Sequence, residues 1–244
     1  MSQTEYSASG QPIHRQKERD DSFQPAYGDE ETIEKITAHV EKHIGEVDFV
    51  FHEIVSDKMH IDVLRVPPTQ ERNYYTLVTC GMSALSMTVP PGAEQFRFAE
   101  LLLCLPSNWP LTEEAMQKEE NYWPIRWLKT LARLPHDYNS WLYAGHSIPN
   151  GDPAEPFAPN TKLSGMLLSL PTIAEDPNGF FTLQMSEEKE VHFFSLLPIY
   201  KEEMDFKLKH GAEELFQKLD RERINEFLQI QRKNVCKKSW FGFR

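Results

Sequence analysis

Apolar residues recur at helical spacing in one segment near the N-terminus. This stripe follows three acidic residues at 29–31, and negative charge is favourable at the N-terminal end of a helix. The pattern predicts a first helix that ends near Gly45, because glycine commonly terminates helices. The apolar stripe consists of Ile33, Ile36, Val40, Ile44 and Val47.

The pattern changes to that of β-strands between Val47 and Leu105. Four runs are rich in β-branched, aromatic and leucine residues, and prolines, which lack the N–H of the strand ladder, end several of them. Tyr74–Cys80 and Leu101–Leu105 are apolar on both pleat faces, so helices should cover both faces of the sheet. The predicted strands are Asp48–Val55, Met59–Val66, Tyr74–Cys80 and Phe98–Leu105.

The C-terminal half contains both helical and strand patterns. A short acidic helix is predicted over Glu113–Glu120, and a second helix should start at Pro124 and stop at Pro135, because proline suits the first helical turn only. Four prolines mark residues 149–162 as a long surface loop. Further strands are predicted at Leu163–Leu170, Phe180–Met185 and Val191–Tyr200, and helix from Ala212 to Leu228.

These elements indicate an α/β (α+β) fold, in which helices flank a mixed sheet in a three-layer α/β/α-like sandwich with helices at the C-terminus. The chain divides into three parts. Residues 1–28 are polar and lack periodicity, so they are predicted to be a flexible leader. Residues 29–231 should form a single domain. Residues 232–244 form a basic tail rich in aromatic residues, which could contact an anionic partner or a membrane surface, or pack its aromatic residues on the domain as such tails more often do.

Composition narrows the class of protein. The chain has 244 residues, of which 26 are basic and 37 acidic, and its formal net charge is −11. This balance argues against direct nucleic-acid binding and suits a basic partner. Three cysteines cannot form a disulfide framework, and no apolar run approaches the ~20 residues needed to cross a bilayer. We therefore expect a cytoplasmic globular protein that does not contact a membrane.

Histidines supply two candidate polar sites. His39 and His43 lie four residues apart on the first helix, but no third metal ligand is visible, so we interpret them as helix-surface residues. His60 and Asp62 lie two residues apart on a predicted strand and therefore share a face. They could ligate a metal, but a structural or partner-binding pair is the preferred interpretation.

Signatures of catalysis are missing from the sequence. The run Gly81-Met82-Ser83-Ala84-Leu85 lacks the second glycine of a nucleophile elbow, and Cys80 and Cys104 lie in apolar strands, as inert thiols do. Neither glycine-rich phosphate-binding motif occurs. We therefore expect no catalytic residue, no cofactor and no metal. Glu100 interrupts an apolar strand and needs a buried partner, for which the candidates are His60, Arg97 and Thr79.

The stretch from His60 to Trp109 resembles the suppressor-of-fused (SUFU) domain, and its order and spacing match the bacterial stand-alone members. The resemblance covers roughly Ile33 to Tyr200. Cys80 replaces the valine-like residue expected in the family, a change that fits a packed strand. The motifs are His60-Ile61-Asp62-Val63, Val66-Pro67-Pro68-Thr69, Tyr75-Thr76-Leu77-Val78-Thr79-Cys80-Gly81-Met82-Ser83, Met87, Ala99-Glu100-Leu101 and Leu105-Pro106-x-x-Trp109.

The resemblance implies a binding protein rather than an enzyme. The animal relative is a negative regulator of Hedgehog signalling that holds Gli-type transcription factors in the cytoplasm, and it uses an additional C-terminal domain for which this chain is expected to have no room. Bacterial members are associated with polymorphic toxins and are thought to act as immunity proteins. By resemblance, the chain is an immunity or antitoxin-like inhibitor or a regulatory sequestering protein.

Two functional hypotheses follow from the sequence. The first is a protein-binding domain whose carboxylates occupy the basic cleft of a partner such as a toxin domain. The alternative is a hydrolase or metal-dependent enzyme that uses the polar cluster of His60, Asp62 and Glu100. The candidate partner-binding residues of the first hypothesis are His60, Asp62, Thr79, Glu100, Glu113, Glu114, Glu119, Glu120, Tyr122 and Trp123.

Overall fold

The computed structural model describes residues 5–14, 30–53 and 59–237. Within these ranges the chain forms ten strands and six α-helices. Eight strands join one sheet, and the two shortest, β1 (Glu5–Tyr6) and β2 (Pro12–Ile13), form a separate antiparallel hairpin. None of the helices in the described ranges is long and apolar enough to cross a membrane.

The large sheet is mixed, as the sequence predicted. Its strands are β3 (Phe49–Phe51), β4 (Asp62–Val66), β5 (Tyr74–Cys80), β6 (Ala99–Pro106), β7 (Ser147–Pro149), β8 (Leu163–Ser169), β9 (Thr182–Ser186) and β10 (Lys189–Tyr200). They lie in the order β3-β4-β5-β6-β10-β8-β7, and β9 pairs with β10. The β6–β10 pair is parallel and the other pairs are antiparallel.

Helices cover both faces of this sheet because alternating residues of the central strands point to opposite sides. On one face, Ile36 of the first helix packs with Leu64 and Val78, and on the other face Leu128 of the third helix packs with Leu77. The last two helices pack with β8 and β10 in a third apolar cluster. The helices are α1 (Glu30–His43), α2 (Glu113–Met116), α3 (Glu119–Asp137), α4 (Pro177–Phe181), α5 (Lys201–His210) and α6 (Ala212–Arg221). The predicted three-layer arrangement is confirmed.

Helix α3 runs through both of the prolines that were expected to bound it. It begins at Glu119 rather than at Pro124, and it continues past Pro135. Proline lacks the N–H that would donate to the carbonyl one turn earlier. The Glu120 carbonyl, which Pro124 leaves without its helical donor, accepts a hydrogen bond from the Asn160 side-chain amide at 3.3 Å. A donor from a distant loop thus compensates for the interior proline.

The strand predicted at Phe180–Met185 begins two residues later, because its start belongs to α4. The Asp176 side chain caps this short helix by accepting a hydrogen bond from the Gly179 N–H at 3.0 Å, and Pro177 occupies the first turn. β9 therefore starts at Thr182.

The helix predicted from Ala212 to Leu228 ends at Arg221. Beyond it, the Cys104 N–H donates to the Glu226 carbonyl at 3.1 Å, and the Leu228 N–H donates to the Cys104 carbonyl at 2.8 Å. The apolar residues near 227 therefore pair with β6 as extended backbone. Helix α5 was missed by the prediction, because Glu203 and Met204 are its only buried residues and they leave no apolar stripe.

The predicted leader and tail are each described in part. The β1–β2 hairpin contacts α5, where the Ser9 N–H donates to the Leu208 carbonyl at 3.0 Å, and residues 15–28 lie outside the described ranges. Residues 232–237 of the tail are described, and 238–244 are not. The Arg232 guanidinium forms a buried ion pair with Glu203 of α5. The boundary predicted after residue 231 therefore separates two residues that are in close contact in the structure.

Candidate functional site

Glu100 is completely buried in β6, and its carboxylate accepts four hydrogen bonds. The Thr79 hydroxyl donates to Oε2 at 2.6 Å. Oε1 accepts the backbone N–H groups of Gly81 and Ser83, each at 3.0 Å, and the Ser83 hydroxyl at 2.7 Å. We call these four residues the Glu100 network. A buried carboxylate is tolerated only when donors replace its water, and here one strand end and the turn after it supply all four.

The end of β5 is shaped to bring these donors together. Gly81 has a φ of 127°, a conformation that glycine adopts readily, and it turns the chain from β5 into the short turn that carries Ser83. The Thr79 hydroxyl oxygen accepts the Leu101 N–H at 2.8 Å, which leaves its proton directed at Glu100. Thr79 is therefore confirmed as the partner of Glu100.

The two other candidate partners of Glu100 make different contacts. His60 Nε2 lies 2.9 Å from Asp62 Oδ1, and the Arg97 guanidinium donates to the Glu188 carbonyl at 3.2 Å. The sequence predicted that the three candidate partners lie near strand ends, but it could not show which of their side chains contacts Glu100.

Burial governs the acid–base properties of this region. Loss of water raises the pKa of the Glu100 carboxyl, and the hydrogen bonds from Thr79, Ser83 and Gly81 act in the opposite direction. Burial, together with the nearby carboxylates of Glu100 and Asp62, also raises the pKa of the Cys80 thiol. A thiol held in its protonated form is a poor nucleophile, which agrees with the prediction that Cys80 is inert.

Replacing Glu100 with glutamine is expected to lower the free energy of unfolding by about 1–3 kcal/mol, because the charge-assisted bonds become neutral ones. In the glutamine variant, the amide oxygen would accept the three hydrogen bonds that Oε1 now accepts. The amide N–H₂ group would take the place of Oε2, and because it is a donor the Thr79 hydroxyl would lose its acceptor. Urea denaturation measures the change. Glu188→Gln, at an exposed turn residue, is the matched control and should be neutral. An unchanged midpoint for Glu100→Gln would contradict the network described here.

A second polar cluster surrounds Asp62 at the first residue of β4. Asp62 Oδ2 lies 3.0 Å from His52 Nδ1, Asp62 Oδ1 lies 2.9 Å from His60 Nε2, and the Glu53 N–H donates to Oδ1 at 3.1 Å. Its side chains range from exposed His52 to buried Asp62. We call His52, His60 and Asp62 the Asp62 cluster. It is separate from the Glu100 network and reaches the surface.

Charged groups from α3 lie beside the Asp62 cluster. Arg133 forms an ion pair with Glu53, whose Oε2 also accepts the Ile61 N–H at 3.2 Å, and Lys129 Nζ donates to the Phe51 carbonyl at 3.1 Å. Burial lowers the pKa of Lys129, and the carboxylates of Glu53 and Asp62 oppose that effect. No local spacing in the sequence connects Asp62 to its neighbours in this region, so these residues were not predicted: His52, Glu53, Lys129 and Arg133.

The acidic residues predicted to meet a partner lie at the starts of α2 and α3. Glu113, Glu114 and Glu119 are exposed, and Glu120 and Tyr122 are half-buried. Carboxylates at these positions also favour helix formation through the positive end of the helix. We call these five residues the acidic helix surface.

Four of the predicted partner-binding residues are buried. Trp123 is fully buried and stacks on Phe157, with ring centroids 4.8 Å apart, so it cannot serve as the aromatic anchor. Thr79 and Glu100 are equally inaccessible. Asp62 is also buried, so among the predicted residues His60 and the acidic helix surface remain in positions that solvent reaches at least in part.

The fold and these sites define a mixed α/β domain in which the buried Glu100 carboxylate binds the end of β5 and the turn that follows it. The model of the family Suppressor of fused protein (SUFU) matches residues 57–233, more than half of the chain. The chain therefore belongs to the SUFU family, as the resemblance of its motifs indicated. Among curated proteins, none matches the sequence.

Solved structures show the same fold. A SUFU homologue from Neisseria gonorrhoeae FA 1090 shares 21% sequence identity with a TM-score of 0.61, over 85% of this chain and 98% of that one. A Sufu–Fu complex shares 15% identity with a TM-score of 0.56, over 84% of this chain and 92% of that one. Suppressor of Fused from Drosophila shares 13% identity with a TM-score of 0.53, over 88% of this chain and 52% of that one.

Proposed function

We propose that this chain is a non-catalytic protein-binding domain of the cytoplasm, acting as an immunity or antitoxin-like inhibitor or as a regulatory sequestering protein. The observation that carries the proposal is the Glu100 network. The alternative enzyme would need Glu100, which is fully buried together with its hydrogen-bond donors Thr79 and Ser83. A substrate cannot reach them without disrupting the sheet.

The comparisons support binding as the general function. One of the similar structures is a Sufu–Fu complex, in which the relative is bound to another protein. The Neisseria gonorrhoeae homologue matches over 98% of its length, so this chain carries the whole fold of that homologue. An inhibitory role against a toxin is the more specific proposal, and it rests on the charge of the chain together with the acidic helix surface.

The acidic helix surface suits a basic partner. Glu113 and Glu114 project from the four-residue helix α2, and Glu119 at the start of α3 pairs with Arg126 on the same helix. The net charge of −11 adds long-range attraction toward cationic surfaces. A toxin that cleaves nucleic acid needs a basic cleft for phosphates, and exposed carboxylates could occupy such a cleft. Half-buried Tyr122 offers an aromatic contact beside them.

Charge reversal at this surface is expected to abolish protection against the partner. The partner is first identified by crosslinking in the source cells, and it is then expressed with or without this chain in a heterologous bacterial host. Co-expression of the wild type or of Glu187→Lys/Glu188→Lys, in the exposed β9–β10 turn, should relieve growth arrest. Glu113→Lys/Glu114→Lys should not relieve it.

The possible outcomes separate the parts of the proposal. A partner that binds but does not arrest growth would favour regulatory sequestration over immunity. Full protection by Glu113→Lys/Glu114→Lys would show that a different surface binds. Catalytic turnover of the partner by the wild-type chain would contradict the proposal as a whole.

A further inference from the structure

The Asp62 cluster has the composition and spacing of a metal site. One nitrogen of His52, one nitrogen of His60 and a carboxylate oxygen of Asp62 all lie within 4.8 Å of one another. Ligands bound at about 2.0–2.2 Å to a tetrahedral Zn²⁺ are separated by little more than 3 Å, so only small side-chain movements would be needed. No other such group of three occurs in the described ranges.

We propose that His52, His60 and Asp62 bind one divalent transition-metal ion, with Zn²⁺ as the best match. Two imidazole nitrogens and one carboxylate oxygen form a donor set typical of zinc and of neighbouring first-row metals. Calcium and magnesium prefer oxygen donors throughout, so this set does not suit them. Three protein ligands leave at least one coordination position for water or for another donor.

The backbone holds the three ligands in place. Asp62 begins β4, and His52 follows the last residue of β3, which pairs with Val63 in the antiparallel ladder. His60 approaches from the segment before β4, where its carbonyl lies against Gly81. The Glu53 N–H fixes Asp62 Oδ1 at 3.1 Å, an outer contact of the kind that orients metal ligands. The end of β3 and the start of β4, which pair in one ladder, thus hold the three ligands close together before any ion binds.

The hydrogen bonds within the cluster mark the positions that an ion would take. His52 Nδ1 and His60 Nε2 both face the carboxylate, and a metal would bind these two nitrogens while each ring carries its proton on the other nitrogen. The His52 side chain is 70% exposed, so this side of the cluster is open to solvent and to an entering ion.

The charges around the cluster set the conditions for binding. Asp62 is the ligand carboxylate, Glu53 is paired with Arg133, and Lys129 lies on the same side. The two basic side chains reduce the attraction for a cation, so affinity must come mainly from the three coordinate bonds.

Metal titration of the full chain tests the proposal. The protein is stripped with a chelator, Zn²⁺ binding is followed by calorimetry, and Co²⁺ binding is followed by its visible absorption. We expect one equivalent of either ion to bind. His52→Ala and His60→Gln should each weaken affinity on the order of 100-fold or more. The His52 side chain is 70% exposed, so its truncation should leave the core packing intact, and circular dichroism verifies the fold of both variants.

Two other histidine variants serve as controls. His210→Ala changes an i,i+4 pair with Glu214 on the far side of the fold, and His43→Ala changes the pair with His39 on α1. Both should bind metal as the wild type does. The proposal is overturned if the wild type binds no stoichiometric metal, if His52→Ala retains full affinity, or if His43→Ala instead removes binding. None of these results bears on partner binding through the acidic helix surface.

Discussion

Replacing Gly81 with alanine is expected to lower the free energy of unfolding by about 2–5 kcal/mol, through backbone strain and a steric clash together. Gly81 has a φ of 127°, which side-chain-bearing residues rarely adopt. A Cβ atom here would lie 2.1 Å from the His60 backbone carbonyl oxygen, which cannot withdraw as a flexible side chain could. Any shift of this turn would also move the backbone N–H groups of Gly81 and Ser83, which donate hydrogen bonds to Glu100.

Gly92→Ala provides the matched control for this substitution. Gly92 also has a positive φ, of 89°, but a Cβ there would meet nothing within 4 Å. Chemical denaturation of both variants separates conformational strain from the steric clash. We expect Gly81→Ala to be clearly the more destabilised of the two. Equal losses would mean that the contact between Gly81 and His60 is looser than the structure shows.

Replacing Arg232 with methionine should lower the free energy of unfolding by about 3–5 kcal/mol, because a buried carboxylate loses its counter-ion. The Arg232 side chain is 4% exposed and Glu203 is 0% exposed, with 2.6 Å between Nη2 and Oε2. Arg232 Nη2 also donates to the Pro198 carbonyl at 2.9 Å. Glu203 in turn accepts the N–H groups of Tyr200 and Val235, so this pair joins the chain terminus to α5.

Lys233→Met is the control for Arg232→Met, since the next residue forms an exposed ion pair with Glu222. Loss of this exposed ion pair should change the free energy of unfolding by less than about 1 kcal/mol, as is usual for surface ion pairs. The double variant Glu203→Gln/Arg232→Met should be more stable than the sum of the two single losses indicates, because neutralising Glu203 removes the buried charge. Similar effects of Arg232→Met and Lys233→Met would contradict a buried, structural role for Arg232.

The local sequence pattern correctly predicted the parts of the fold that do not depend on contacts with distant residues. The runs Tyr74–Cys80 and Leu163–Leu170 agree closely with β5 and β8, because continuous apolar sequence bounded by polar residues or proline favours a central strand. The stripe of α1 was likewise sufficient to place that helix on the sheet. The burial of Glu100 and its hydrogen bond from Thr79 could also be predicted, because a carboxylate in an apolar strand requires a hydrogen-bond donor.

The features that were missed depend on residues distant in the sequence. Helix α3 continues through Pro124 because Asn160, 36 positions later, satisfies the carbonyl that the proline leaves open. The Asp62 cluster includes His52 only because β3 folds back beside β4. Trp123 looked like a surface aromatic next to acidic residues, yet the helix turns it into the core against Phe157. The spacing of residues along the sequence does not predict any of these three long-range contacts.

The association rate with the purified partner, measured at several salt concentrations, tests most directly whether this chain binds through its acidic helix surface. Screening shortens the reach of charge from about 30 Å at 0.01 M to about 8 Å at 0.15 M ionic strength. We predict that the wild type and Glu187→Gln/Glu188→Gln associate rapidly at low salt and slow steeply as salt rises. Glu113→Gln/Glu114→Gln/Glu119→Gln/Glu120→Gln should associate slowly at low salt and respond weakly to added salt. A salt-independent rate that is identical in the wild type and this variant would contradict the account.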